Sequence, residues 1–235
     1  MLIYFKHFRR SSSKGPASPK TSSRGGFTLI ELIVVSAIIL IITTFILFQQ
    51  SKFNSSTLLR SLTYSMALSV RQAQVYGTSV RGFTPAAGGS ATFGSGYGIH
   101  FPAGTTPYQY YLFADAASPN DNGQRAADGS EDAIPPSPFI LGKGYSLSRL
   151  CVRVGQSAPD CSVSSVTVFF RRPHPEACIA SSAAPTACAA GSSPVYSSAY
   201  IEIKSSGNND TRSVKVVTSG QIAICKPNLA DLTQC

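Results

Sequence analysis

Residues 24–35 read RGGFTLIELIVV, and the fold turns on this stretch because it sets one acid inside an apolar run. The run continues over residues 27–48, FTLIELIVVSAIILIITTFILF, and its only formal charge is Glu31. As a helix these residues span about 33 Å, enough to cross a bilayer. A carboxylate at that depth costs roughly 2.5 to 3.5 kcal/mol on insertion scales. A bare anchor has no use for one.

The flanks of the run differ. Residues 1–26 hold Lys6, Arg9, Arg10, Lys14, Lys20 and Arg24 and no acid. Taking these 6 from the 20 Lys and Arg of the whole chain leaves 14 bases against 11 acids, so most of the net +9 belongs to the front segment and the rest carries only +3. A basic flank of this kind marks the cytoplasmic side of a membrane segment. It gives no support for nucleic-acid binding by the folded part, which would need a concentrated patch. On the far side the run passes into Gln49, Gln50, Ser51, Lys52 and Phe53 without the small-residue site at which a secretory signal is cut. The segment is therefore expected to stay in the protein. Just before it, Gly25 and Gly26 offer a Cβ-free backbone able to enter a protease cleft.

The segment Gly26-Phe27-Thr28-Leu29-Ile30-Glu31 and the apolar run behind it resemble the type IV pilin family, including the pseudopilins of type II secretion. The resemblance implies that a prepilin peptidase cuts between Gly26 and Phe27, that the new amine of Phe27 is methylated, and that residues 1–26 are a cleaved leader. It also implies a role for Glu31, which would pair with the Phe27 amine of a neighbouring subunit in a staggered helix bundle. Two opposite charges in low dielectric recover most of their desolvation cost only in the correct register, so such a pair specifies stagger more than strength. The partners implied are other pilin subunits, the peptidase, an assembly platform, an ATPase and the membrane. The location implied is the cytoplasmic membrane, single-pass with the C-terminal domain outside the cytoplasm, then a surface or periplasmic filament.

Beyond Phe48 the pattern becomes amphipathic. Leu58, Leu59, Leu62, Met66, Val70 and Ala73 recur at steps of three and four, which predicts a stripe facing a globular domain. Gly77 is read as the cap that ends this helix. Strands are expected at residues 78–84, 92–101, 108–114, 145–154 and 165–172, and at 199–205 and 211–219 joined by a Gly-Asn-Asn-Asp turn into a hairpin. Residues 220–224 add a last one. The organisation expected is a leader (1–26), a membrane or filament-core half-helix (27–48), an amphipathic half-helix (49–77) and an antiparallel β domain (78–235). A long helix on an antiparallel sheet is the α+β pilin architecture. The stretch LSVRQAQVYGTSVRG and the late VVTSGQIAI resemble the H-type pseudopilin and FimT-like minor pilin branch.

Six cysteines fall as Cys151 and Cys161, Cys178 and Cys188, and Cys225 and Cys235, each pair ten positions apart. The even count and repeated spacing point to three local bridges among fifteen connectivities, hence to an oxidising compartment. The loop from Asp115 to Pro138 gathers oxygen donors, with Asp115, Asp121 and Asp128 as candidate calcium ligands, although the spacing does not fit an EF-hand. Arg171 and Arg172 at a strand end, with His174 beside them and Arg149 and Arg153 as further bases, are the candidate DNA contact of a tip pilin that captures DNA or a surface. No GxSxG, HExxH, P-loop or complete GxGxxG pattern appears, and GSGYG at residues 94–98 lacks the last spacing, so neither an enzyme nor a resident cofactor is expected.

Overall fold

The structure, a computed structural model, describes residues 25–84, 93–103, 108–115, 133–189, 191–205 and 210–226. The chain divides into two compact units, Met1–Phe48 and Gln49–Cys235. One helix, α1 (Leu29–Thr78), contributes to both.

In the first unit α1 opens on Thr28, whose Oγ1 accepts the Glu31 N–H at 3.3 Å while its carbonyl accepts the Leu32 N–H at 3.1 Å. Thr28 is thus the N-cap, and the sequence Thr-x-x-Glu is the pattern of a capping box. The other hydroxyls of the run turn back onto the helix: Ser36 donates to the Ile33 carbonyl, Thr43 to Ile39 and Thr44 to Leu40, at 2.7–2.9 Å. The large apolar side chains are exposed throughout, from Phe27 to Phe48. A helix apolar on every side has its solvent elsewhere, in lipid or among other helices. Its length and composition suffice to cross a membrane.

In the second unit the same helix is amphipathic, as expected. Leu59, Met66, Val70 and Ala73 are buried, and Leu58 and Leu62 pack at the margin of the core. Polar positions on this face are satisfied: Thr63 donates to the Leu59 carbonyl, Ser69 meets the Tyr110 hydroxyl at 3.2 Å, and Gln74 Nε2 donates to the carbonyls of Pro175 and Gly220.

Among the described residues nine strands follow: β1 (Gly96–Pro102), β2 (Gln109–Asp115), β3 (Phe139–Ile140), β4 (Ser146–Arg153), β5 (Ser165–Phe170), β6 (Ala177–Ser181), β7 (Ser198–Lys204), β8 (Thr211–Val217) and β9 (Ile222–Cys225), with a short 3-10 helix at Pro185–Cys188. They form two antiparallel sheets rather than one, ordered β3-β2-β1-β5-β6 and β4-β7-β8-β9. Tyr97, Ile99, Phe101, Val166 and Val168 of the first and Leu150, Ile201, Ile203 and Val214 of the second share one core with α1. The expected hairpin is β7–β8, in register from Ser198 opposite Val217 to Lys204 opposite Thr211, although residues 206–209 of its turn lie outside the described residues.

Three local expectations are corrected. Residues 78–84 are not a strand: α1 runs through Thr78, a turn follows, and only Phe83 makes an isolated bridge. Gly77 is not a cap but a residue within the helix, where a Cβ would fall 2.5 Å from the Phe170 carbonyl oxygen. Its missing side chain lets helix and strand β5 approach. Strand β6 was not expected, because Ala-Cys-Ile-Ala-Ser carries little of the bulk that marks a strand.

The opposite face of the five-stranded sheet holds a second, smaller cluster of Phe113, Phe169, Ala180, Ala187 and Cys188. Glycines make it fit. A Cβ on Gly98 would lie 2.7 Å from the Phe113 ring, and one on Gly96 would overlap the Phe169 ring. Two of the three glycines of GSGYG, Gly96 and Gly98, thus make room for aromatic rings, whereas a Cβ on Gly94 would meet nothing within 4 Å.

Candidate functional site

Phe27 lies just before α1 and Glu31 in its first turn, and four-residue steps within the helix place Val35 and Ile39 in line with Glu31. Together with Leu32 and Ser36 they line a shallow apolar groove of about 340 Å³. Phe27 is 82% exposed, and Glu31 is exposed as well. Among the described residues no cation forms an ion pair with Glu31. The contrast with its polar neighbours is sharp, since Thr28, Ser36, Thr43 and Thr44 all find partners in their own helix. Glu31 contributes its backbone N–H to the cap, and its carboxylate is the group of the run with no mate inside the helix. The cap itself escaped the sequence reading, although Thr-x-x-Glu was its signal.

Gly25 and Gly26 precede the helix in a segment without regular structure, and a Cβ on either would meet nothing within 4 Å. Packing in this chain does not require glycine there.

Two of the expected disulfides are formed, Cys151–Cys161 and Cys178–Cys188. The second joins β6 to the 3-10 helix and holds that segment over Phe113 and Phe169. Cys225 is also disulfide-bonded, while Cys235 lies outside the described residues. Loops of this size contribute about 2.5 to 3 kcal/mol each in the chain-entropy estimate.

The residues read as calcium and DNA ligands meet each other. Asp115, at the end of β2, has no solvent-exposed side-chain surface and lies 3.7 Å from the Arg171 guanidinium. Asp121 and Asp128 lie outside the described residues, and among the described residues no group of three or more His, Cys, Asp or Glu side chains is placed to hold a metal. The bases are dispersed among separate partners: Arg149 pairs with Glu202 at 2.8 Å, and Arg153 lies over the Tyr200 ring. Arg171 also stacks over Phe169 and, with His174 and Glu176, borders an open cleft of about 260 Å³ beside the Cys178–Cys188 bridge. Arg172 does not line that cleft.

Residues 21–47 match the family described as the prokaryotic N-terminal methylation motif. The chain thus carries the class III signal of type IV pilins, over the segment that contains Gly26, Phe27 and Glu31. Comparison with curated proteins and with solved structures gave no match.

Proposed function

We propose that the chain is a structural subunit of a type IV pilus or type II secretion filament, a minor pilin or pseudopilin. It is cleaved between Gly26 and Phe27, methylated at Phe27, and assembled by pairing Glu31 with the Phe27 amine of a neighbouring copy. The observation that carries the reading is Glu31 itself. Every hydroxyl of the apolar run is satisfied within its own helix, whereas the one carboxylate faces outward along a groove that begins at Phe27. Cleavage supplies the missing cation at that residue. The glycines at 25 and 26 support the same reading, because their lack of a side chain answers no need of this fold and suits entry into a protease.

The methylation motif and the exposed apolar helix fit a membrane-anchored subunit that awaits polymerisation. The C-terminal domain stands outside the cytoplasm, where the bridges persist. The other partners are the prepilin peptidase, an assembly platform and its ATPase.

The test separates insertion from assembly. Glu31→Ala is expected to leave membrane insertion and cleavage intact and to abolish incorporation into filaments. Unchanged incorporation would refute the pairing, and N-terminal sequencing that begins at Met1 would refute the processing.

A further inference from the structure

A second site lies wholly within the Gln49–Cys235 unit, where the early part of α1 meets the hairpin end of the four-stranded sheet. Arg60, Arg212 and Lys226 converge there on a recess of about 80 Å³ completed by Ser56, Thr211 and Asp210. Three cations and one carboxylate leave the recess with an excess of two positive charges. None of the three cations is in an ion pair among the described residues. Elsewhere in this unit Arg149 and Arg171 each have a carboxylate, and Arg81, Arg153 and Lys215 each cover an aromatic ring. Among the described residues the recess gathers three bases around one carboxylate, with none of the three in an ion pair.

Like charges held together repel, and a cleft lined by one sign of charge focuses its field onto whatever enters. We infer that this recess binds a phosphate group, received by Arg60, Arg212 and Lys226 with the Thr211 hydroxyl as a further hydrogen-bonding group. A recess of this size suits one tetrahedral oxyanion better than a whole nucleotide. Guanidinium groups match phosphate oxygens in pairs, and the ammonium adds a point charge.

The chain also restricts where the phosphate comes from. Residues 49–78 carry Lys52, Arg60 and Arg71 and no Asp or Glu. Arg60 follows the apolar run by twelve residues in the chain. A phospholipid headgroup and free phosphate are the two sources. The headgroup source rests on the membrane-anchored reading above, whereas the chemistry of the recess does not.

The experiment uses the full chain in nanodiscs of neutral phosphatidylcholine, with inorganic phosphate followed by phosphorus NMR line broadening. The wild type is expected to broaden the phosphate signal. Arg60→Gln with Lys226→Gln, both exposed positions that should fold normally, is expected to weaken binding at least tenfold. Lys143→Gln with Arg172→Gln removes the same charge elsewhere and is expected to change nothing. Discs doped with phosphatidylglycerol then identify the source: displacement of phosphate assigns the site to headgroups, and undiminished binding assigns it to the free ion. Equal broadening by all three proteins, or none by the wild type, overturns the inference. Failure to enter discs would count against the anchor instead, and the same titration in detergent would still decide the recess.

Discussion

Asp115 and Arg171 face each other at 3.7 Å from the ends of β2 and β5, the carboxylate shut away from solvent and the guanidinium about one-quarter exposed. Two residues 56 positions apart in the chain, each suggestive of a ligand when read alone, are thus each other's counterions. Asp115→Asn is expected to destabilise the domain by about 2 kcal/mol, less than for a fully buried pair because Arg171 remains partly hydrated. Denaturant unfolding would measure it. A stability unchanged by the substitution would show that the pair contributes nothing.

Gly77 supplies a test in which the sign is decisive. Gly to Ala inside a helix ordinarily stabilises by about 0.5 to 1 kcal/mol. Here the added methyl meets the Phe170 backbone at 2.5 Å, and backbone cannot swing aside. Gly77→Ala should therefore lose about 1 to 3 kcal/mol, as overpacking does. A raised Tm would mean that helix and strand are not so close.

Replacing Cys178 and Cys188 by Ser should remove about 2.5 to 3 kcal/mol. The loss should also be local. Hydrogen exchange is expected to quicken at residues 182–189 while α1 and the β7–β8 hairpin keep their protection, since the bridge clasps the outer cluster and not the main core. Uniform loss of protection would contradict that division.

Alkaline pH gives a further test. Burial raises the Tyr110 phenol above its ordinary 10.0, only partly offset by its hydrogen bond with Ser69, and burial raises Tyr97 despite the nearby Arg81 and Arg172. The unfolded chain therefore loses these protons first. The stability they confer is intact below pH 10 and declines as pH rises above 10 toward the raised folded values. Tyr110→Phe should cost about 1 kcal/mol at neutral pH and flatten the alkaline fall in Tm. An alkaline limb identical to that of the wild type would remove Tyr110 as its source.

Much of this architecture is legible in the sequence. Long, pure patterns carried well: the apolar run, the stripe from Leu59 to Ala73, and the alternation of Ala199, Ile201 and Ile203 leave one arrangement open to each. Short signals misled. Residues 78–84 have the composition of a strand, yet the helix continues into them because Gly77 lets it press against β5. Strand β6 is built of small residues that acquire strand character from their partner Val168 and its neighbours, which no local window contains. The bases at residues 149, 153, 171 and 172 looked like one patch because sequence shows charge but not counterions, and Glu202, Asp115 and Tyr200 come from other strands. The spacing of four cysteines, by contrast, foretold both observed bridges, since a ten-residue loop needs no long-range information to close.

The five-stranded sheet has two upholstered sides, one receiving the helix and the other receiving Phe113, Phe169 and their clasped cover. Variation on the outward side can proceed without disturbing the helix's berth.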